Sequence, residues 1–316
     1  MFIAVTKRGS DLDNTSATNR AATTGLLHGL LAYLVWGFFP VYFKAVETVP
    51  PLQVVSHRIV WSLAFLLVLI GFRKTWREIG TTLCDRRAML ILVTTALLIA
   101  TNWLVFIVAV EHGQVLQSSL GYFITPFVSV LLGVTFLKER LRRLQLVSLF
   151  LAVAGVLFLA VQYGRIPWVA LTLALTFGSY GLLRKVVSVD SLTGLTVETI
   201  LLFPLAAGYL LYVDRAGNGA FLHGQLSITI LLLAVGVVTA IPLLLFASAA
   251  RRLRLATIGF LQYLTPTMHF LLAVIVYNEP FSTARLISFL FIWTGLACYS
   301  WDAYRTLAVS GYFHKK

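Results

Sequence analysis

The sequence predicts an all-α integral membrane protein of ten transmembrane helices, arranged as two inverted five-helix repeats. Three observations predict it. Of 316 residues, 59% are hydrophobic and only 12% charged, with a mean hydropathy of +0.88; a soluble domain carries about 25% charged residues. Ten apolar stretches reach the roughly 20 residues that a helix needs to cross the hydrocarbon core. Landmarks of the fourth and fifth stretches return 140 positions later in the ninth and tenth.

In chain order the expected spans are 26–45, 52–72, 88–110, 114–136, 144–162, 166–183, 194–213, 226–248, 256–277 and 284–303. Connections as short as EHGQ at Glu111 force neighbouring spans into antiparallel hairpins. A membrane β-barrel would need segments of about ten residues with strict alternation, whereas these runs are continuous. Residues 1–24 lack a sustained apolar region and a cleavage pattern, so a disordered cytoplasmic tail is expected rather than a signal peptide. Residues 25–162 form the expected first repeat, 163–304 the second and 305–316 a second cytoplasmic tail.

The formal charge of +13 is carried in short gaps between apolar runs. No basic patch interleaved with exposed aromatics points to nucleic acid, and membrane topology accounts for the placement. With the N-terminus cytoplasmic, the inner segments hold 20 of the 25 Lys and Arg, Arg184 and Lys185 among them, while the outer loops hold Arg165 and Arg215. Both termini are therefore expected inside the cell membrane. The two cysteines, Cys84 and Cys298, suggest neither a disulfide framework nor a metal site, and no cofactor is expected.

The repeat pairs Thr125 with Thr265, Pro126 with Pro266, Glu139 with Glu279, Ser148 with Ser288 and Gly155 with Gly295. A weaker echo at 141 pairs Gly37 with Gly178. Equivalent points lie five spans apart, an odd number, so the second copy enters the membrane upside down. The basic KERLRR after span four accordingly matches the uncharged NEPFST after span nine. Inverted halves around a central site are the architecture of many secondary transporters.

The stretches SHRIVWS at Ser56, TNWLVFIVAVEHG at Thr101, SLGYFITPFVSVLLGVTFLKERL at Ser119, YGLLRKVV at Tyr180, TGLTVETILLFPLA at Thr193 and GFLQYLTPTMHFLLAVIVYNEPF at Gly259 recur in order over residues 24–304. On these the chain resembles the drug/metabolite transporter superfamily, EamA type, and within it the RarD, or chloramphenicol-sensitivity, family. The resemblance implies a ten-helix inner-membrane permease for a small organic solute. The four-helix multidrug members carry a carboxylate in their first helix, and span one here has none, so proton antiport is not inherited with the resemblance.

Ionisable groups inside a bilayer are costly and mark candidate pathways or relays. His57 and Arg58 begin span two, Glu198 begins span seven, and all three are candidates for proton or charge coupling. Each has a structural alternative: Glu198 bonded to a helix end or to a base such as Lys185, Arg58 snorkelling outward, His57 solvated at the interface. If Glu198 carries protons, Glu198→Gln is expected to abolish pH-driven transport in a folded protein. Tyr122, Thr125 and Ser129 share one helical face, and so do Gln262, Thr265 and His269. The two stripes are expected either to line a shared cavity or to bond neighbouring helices. Trp36, Trp103, Tyr180 and Tyr263 are candidates for stacking on a solute, or else belt and packing residues. Asn102 needs a partner at mid-depth. Pro126 and Pro266 are candidate gating or static bends. Glu139 and Glu279, ahead of the helices that follow spans four and nine, are expected at structural corners.

An enzyme embedded in the membrane and a passive channel are the competing classes. The first lacks a cluster of acid, base or ligand residues, with HExxH, GxSxG and GxxxxGK[ST] all absent. The second lacks an evident filter ring. The partners expected are a small organic solute, protons as a candidate coupling ion, and the lipid bilayer.

Overall fold

A computed structural model describes residues 3–112, 115–163, 168–223, 225–276 and 283–309. Every regular element among them is helical. Helix α1 (Ile3–Gly37) stops at Phe38 and the path resumes in the short α2 (Phe39–Ala45). Pro40, which has no N–H to give, sits in the first turn of α2, where none is needed. Composition favours disorder before residue 25, yet α1 runs back to Ile3. Extending a formed helix fixes one residue per bond and avoids the costly nucleus. The membrane-length part of this path is Arg20–Ala45.

Helix α3 (Pro51–Arg73) follows, then α4 (Trp76–Cys84), a helix that span-counting does not anticipate. It is short and two-faced, burying Ile79 and Thr82 while exposing Trp76 and Leu83. Asp85 caps α5 (Arg86–Glu111) by accepting from the amides of Arg87 and Ala88. Next come α6 (Val115–Phe136), α7 (Arg143–Tyr163), α8 (Trp168–Val186) and α9 (Ser191–Arg215), the last capped by Asp190. The chain ends in α10 (Leu226–Arg252), α11 (Leu255–Gln262), α12 (Leu264–Leu271) with a π-helical turn over Leu272–Val276, and α13 (Thr283–Val309).

Among the described residues, six helical stretches are long and apolar enough to cross a membrane, and three shorter apolar helices accompany them. Large apolar side chains such as Phe72, Phe150, Val161 and Leu205 cover the outside, the surface a bilayer solvates. The protein is a multi-pass α-helical membrane protein. Helix α1 packs on α10 and α12, α3 on α9 and α10, α5 on α8 and α9, α6 on α8 and α11, and α7 on α13.

The two Thr-Pro motifs differ in outcome. Pro126 lies within a continuous α6, whereas the path through Pro266 breaks at Tyr263 into α11 and α12. A proline ring crowds the carbonyl four residues earlier, here that of Gln262, immediately before the break.

Glu139 forms its corner differently from expectation. Its carboxylate caps α11 rather than the adjoining α7, accepting from the amides of Leu255 at 2.7 Å and Ala256 at 2.9 Å. Arg254, at the N-cap position of α11, makes no side-chain cap bond there, so a residue more than a hundred positions away meets the orphan donors. Gly133 leaves the room, since a Cβ there would stand 2.8 Å from the Glu139 carboxylate. Glu279 lies outside the described residues. Glu139→Ala is expected to cost about 1.5–3 kcal/mol, the range for hydrogen bonds to a charged group, and Glu139→Gln less. Thermal unfolding in detergent, followed by helical circular dichroism, measures both.

Candidate functional site

Pro40 has no N–H to give the carbonyl of Trp36, four residues earlier, and inside a bilayer such a group must be met by protein. Two donors from α12 reach this turn. Thr265 Oγ1 donates to the carbonyl of Tyr33 at 3.0 Å, and His269 Nε2 lies 3.1 Å from that of Trp36, a contact that requires the proton on Nε2. These bonds hold the two broken helices against each other.

Beside the crossing lies a cavity of about 350 Å³, within the usual range for small-molecule sites. Asn102, Trp103 and Phe106 reach it from one face of α5, and Leu173 and Phe177 from one face of α8, each set at helical spacing. Asn102 finds the partners its depth demands: Nδ2 donates to the Leu173 carbonyl and to Thr176 Oγ1, both at 2.9 Å. From α6 come Tyr122 and Thr125, and from the α11–α12 path Gln262, Thr265, Pro266 and His269. The rings of Tyr122 and His269 meet edge-on with centroids 5.8 Å apart.

Two polar atoms here have no hydrogen-bond partner among the described residues, Gln262 Oε1 and the hydroxyl of Tyr33. Both residues are buried and border the cavity. A buried polar atom without a partner costs about 1–3 kcal/mol, so both mark places where the packing beside the cavity is not at its most stable.

Of the expected lining residues, Ser129 of the stripe and the stacking candidates Tyr180 and Tyr263 are not on this wall. Ser129 is buried where α6 meets Gly259 of α11, and Tyr263 packs in the apolar core with Phe123 and Phe289. Pro126 also stays off the wall, its carbonyl facing Gly259. His57 is remote from the cavity, accepting from Trp61 Nε1 at 3.2 Å and packing on Phe221.

Arg58 does not snorkel outward. It is 9% exposed and borders the cavity; Nε donates to Thr239 Oγ1 at 3.0 Å, and the guanidinium lies 4.6 Å from the centre of the Trp103 ring. Phe43 and Phe39 add ring faces at 5.6 and 6.0 Å. Its position early in α3 turns it toward α10, where Thr239 fixes it.

Glu198 borders a smaller space of about 20 Å³, room for one water, together with Arg58, Tyr180 and Thr239. The partner of Glu198 is Arg184, not Lys185. Arg184 Nη1 lies 3.5 Å from Oε1, while Thr95 donates to Oε1 at 2.6 Å and Tyr180 to Oε2 at 3.3 Å. One residue along a helix is a rotation of about 100°, so Lys185 points elsewhere and bonds the Ala250 and Leu253 carbonyls. Arg184, counted among the inner basic residues by sequence, is fully buried. The spacing of Tyr180 and Arg184, one helical turn, was the signal that both face Glu198. Gly194 makes the pair fit, because a Cβ there would overlap the guanidinium.

This pairing changes what Glu198→Gln should do. Removing one partner of a buried ion pair leaves the other uncompensated, at about 3–5 kcal/mol. Glu198→Gln, Glu198→Leu and Arg184→Met are each expected to unfold the protein at markedly lower temperature, and the double Glu198→Leu/Arg184→Met to recover most of the loss. A double-mutant cycle of thermal stabilities measures it.

Comparison with known proteins places these features. Residues 23–161 match the EamA-like transporter family. Protein RarD of Salmonella typhi is 44% identical over 89% of this chain and 96% of its own length. An uncharacterized transporter of Bacillus subtilis, YojE, is 44% identical over 88% of this chain and 94% of its own. The chloramphenicol-sensitive protein RarD of Pseudomonas aeruginosa is 32% identical over 91% and 97%. A solved crystal structure superposes with a TM-score of 0.70 at 18% identity, over 88% of this chain and 97% of that one, and shares the fold. With whole-length relatives at this identity, and a cavity bordered by both broken helices, the chain belongs to the RarD branch of the EamA-like transporters and is a membrane permease for a small solute.

Proposed function

We propose that this permease crosses the inner membrane ten times with both termini cytoplasmic, and works by alternating access between inverted halves, residues 25–162 and 163–304. The observation that carries the proposal is that polar residues of α6 and of the α11–α12 path, one from each half, border a single cavity.

Packing supports the inversion. Exchange each helix for the one five spans away, and α1 on α10 becomes α8 on α5, α3 on α10 becomes α9 on α5, and α1 on α12 becomes α8 on α6; α3 on α9, α6 on α11 and α7 on α13 map onto themselves. Close approaches obey the same exchange. A Cβ on Gly155 would meet the Ser288 carbonyl at 2.8 Å, and one on Gly295 the Ser148 carbonyl at 2.7 Å. Likewise Gly37 faces Met268 as Gly178 faces Val128.

Trp36, Phe177, Tyr180 and Phe246 form a ring cluster with neighbouring centroids 5.2 to 6.0 Å apart, which we read as the cytoplasmic plug of the pathway. Glu198, held by Thr95, Tyr180 and Arg184, is read as a fixed structural charge rather than a proton carrier. The drug named for the Pseudomonas aeruginosa relative makes chloramphenicol one flux probe. Saturable uptake into proteoliposomes, stimulated by counterflow, marks a carrier, and product formation without flux an enzyme.

Alternating access is tested without knowing the solute. In a Cys84→Ser/Cys298→Ala background, Tyr122→Cys is expected to react with an impermeant maleimide from both faces of sided vesicles. Adding Phe246→Ala is expected to raise labelling from the cytoplasmic face severalfold. Labelling confined to one face in both backgrounds overturns the proposal.

A further inference from the structure

Among the described residues, two arginines are buried in the helix bundle, and they are held differently. Arg184 has its own carboxylate in Glu198, within 3.5 Å. Arg58 has none: among the described residues its one hydrogen-bond partner is Thr239, through Nε, and no acidic side chain pairs with it. A guanidinium carries five N–H donors, so the two terminal nitrogens of Arg58 keep theirs available beside the cavity. The ring faces of Trp103, Phe43 and Phe39 hold the cation in place but accept no hydrogen bonds in its plane.

Apart from Gln262, whose unpartnered Oε1 is an acceptor, the rest of the wall is compatible with an anion. Among the described residues, no Asp or Glu borders the cavity. Trp36, Phe39, Phe43, Trp103, Phe106 and Phe177 supply its flat apolar surface. A fork of paired donors against a hydrocarbon wall is complementary to a planar carboxylate on an aromatic body, and adverse to an ammonium.

We infer that the solute of this cavity is a small aromatic carboxylate whose anionic group docks on the terminal nitrogens of Arg58. The inference rests on the cavity being the solute site.

A charge series on one skeleton tests it: phenylacetate, the neutral phenylacetamide and the cationic phenethylamine, titrated against the full-length protein in lipid nanodiscs. Phenylacetate is expected to bind at least tenfold more tightly than the amide, and the amine not to bind. Arg58→Gln is expected to weaken phenylacetate at least tenfold and bring it level with the amide, with Arg58→Lys in between. The wild-type series stands even where an Arg58 variant fails to fold. Binding of the amide or amine as tight as the acid, no binding of the acid, or wild-type affinity in a folded Arg58→Gln each overturns the inference. Chloramphenicol flux without phenylacetate binding removes the anion and leaves the carrier. Arg58-dependent phenylacetate binding with one-sided Tyr122→Cys labelling supports the anion site and removes alternating access.

Discussion

Thr265 and His269 donate across the bundle to the Tyr33 and Trp36 carbonyls, and the cavity depends on that contact. A helix can stop in hydrocarbon only where protein meets its loose backbone groups. Here the carbonyl that Pro40 leaves free on Trp36 is met from α12, and the two bonds fix where α1 and α12 meet. The cavity sits where their paths diverge, with Pro40 and Pro266 at the two breaks.

Burial of charge divides the interior into a sealed part and a ligand-facing part. Around Glu198, the carboxylate, arginine, hydroxyls and the Ser191 carbonyl largely answer one another. A pair so enclosed contributes orientation more than net stability, since desolvation offsets most of its attraction. Across the wall shared by the two spaces, Arg58 is offered aromatic faces and one hydroxyl. Similar residues therefore do different work according to whether the bundle supplies the counter-charge.

Sequence alone carried the class, a multi-pass helical membrane protein, because hydropathy is local and cumulative. It also brought eight of its eleven pathway candidates to one cavity wall, from Trp36 to His269, because helical spacing decides which side chains share a face. What it missed depends on rotation and on distant partners. A helix end or a base such as Lys185 is the structural alternative for Glu198, and the partner is Arg184, one helical step from Lys185. Outward snorkelling, one of the alternatives for Arg58, fails because Thr239 on α10 and Trp103 on α5 hold it, and nothing in SHRIVWS reveals them. Ser129 follows the stripe rule and still packs away, since the α6–α11 approach at Gly259 closes over it. Helix α4 escaped because it is too short to register as a span.

The cap that Glu139 places on α11 bears on how the chain is assembled. The carboxylate leaves the ribosome 116 residues before the first amide it will bond. Until then the start of α11 carries exposed donors that its own N-cap side chain does not meet, and a helix in that condition is poorly suited to lipid. Full bonding of the first turn of α11 therefore waits on the end of α6 being in position beside it.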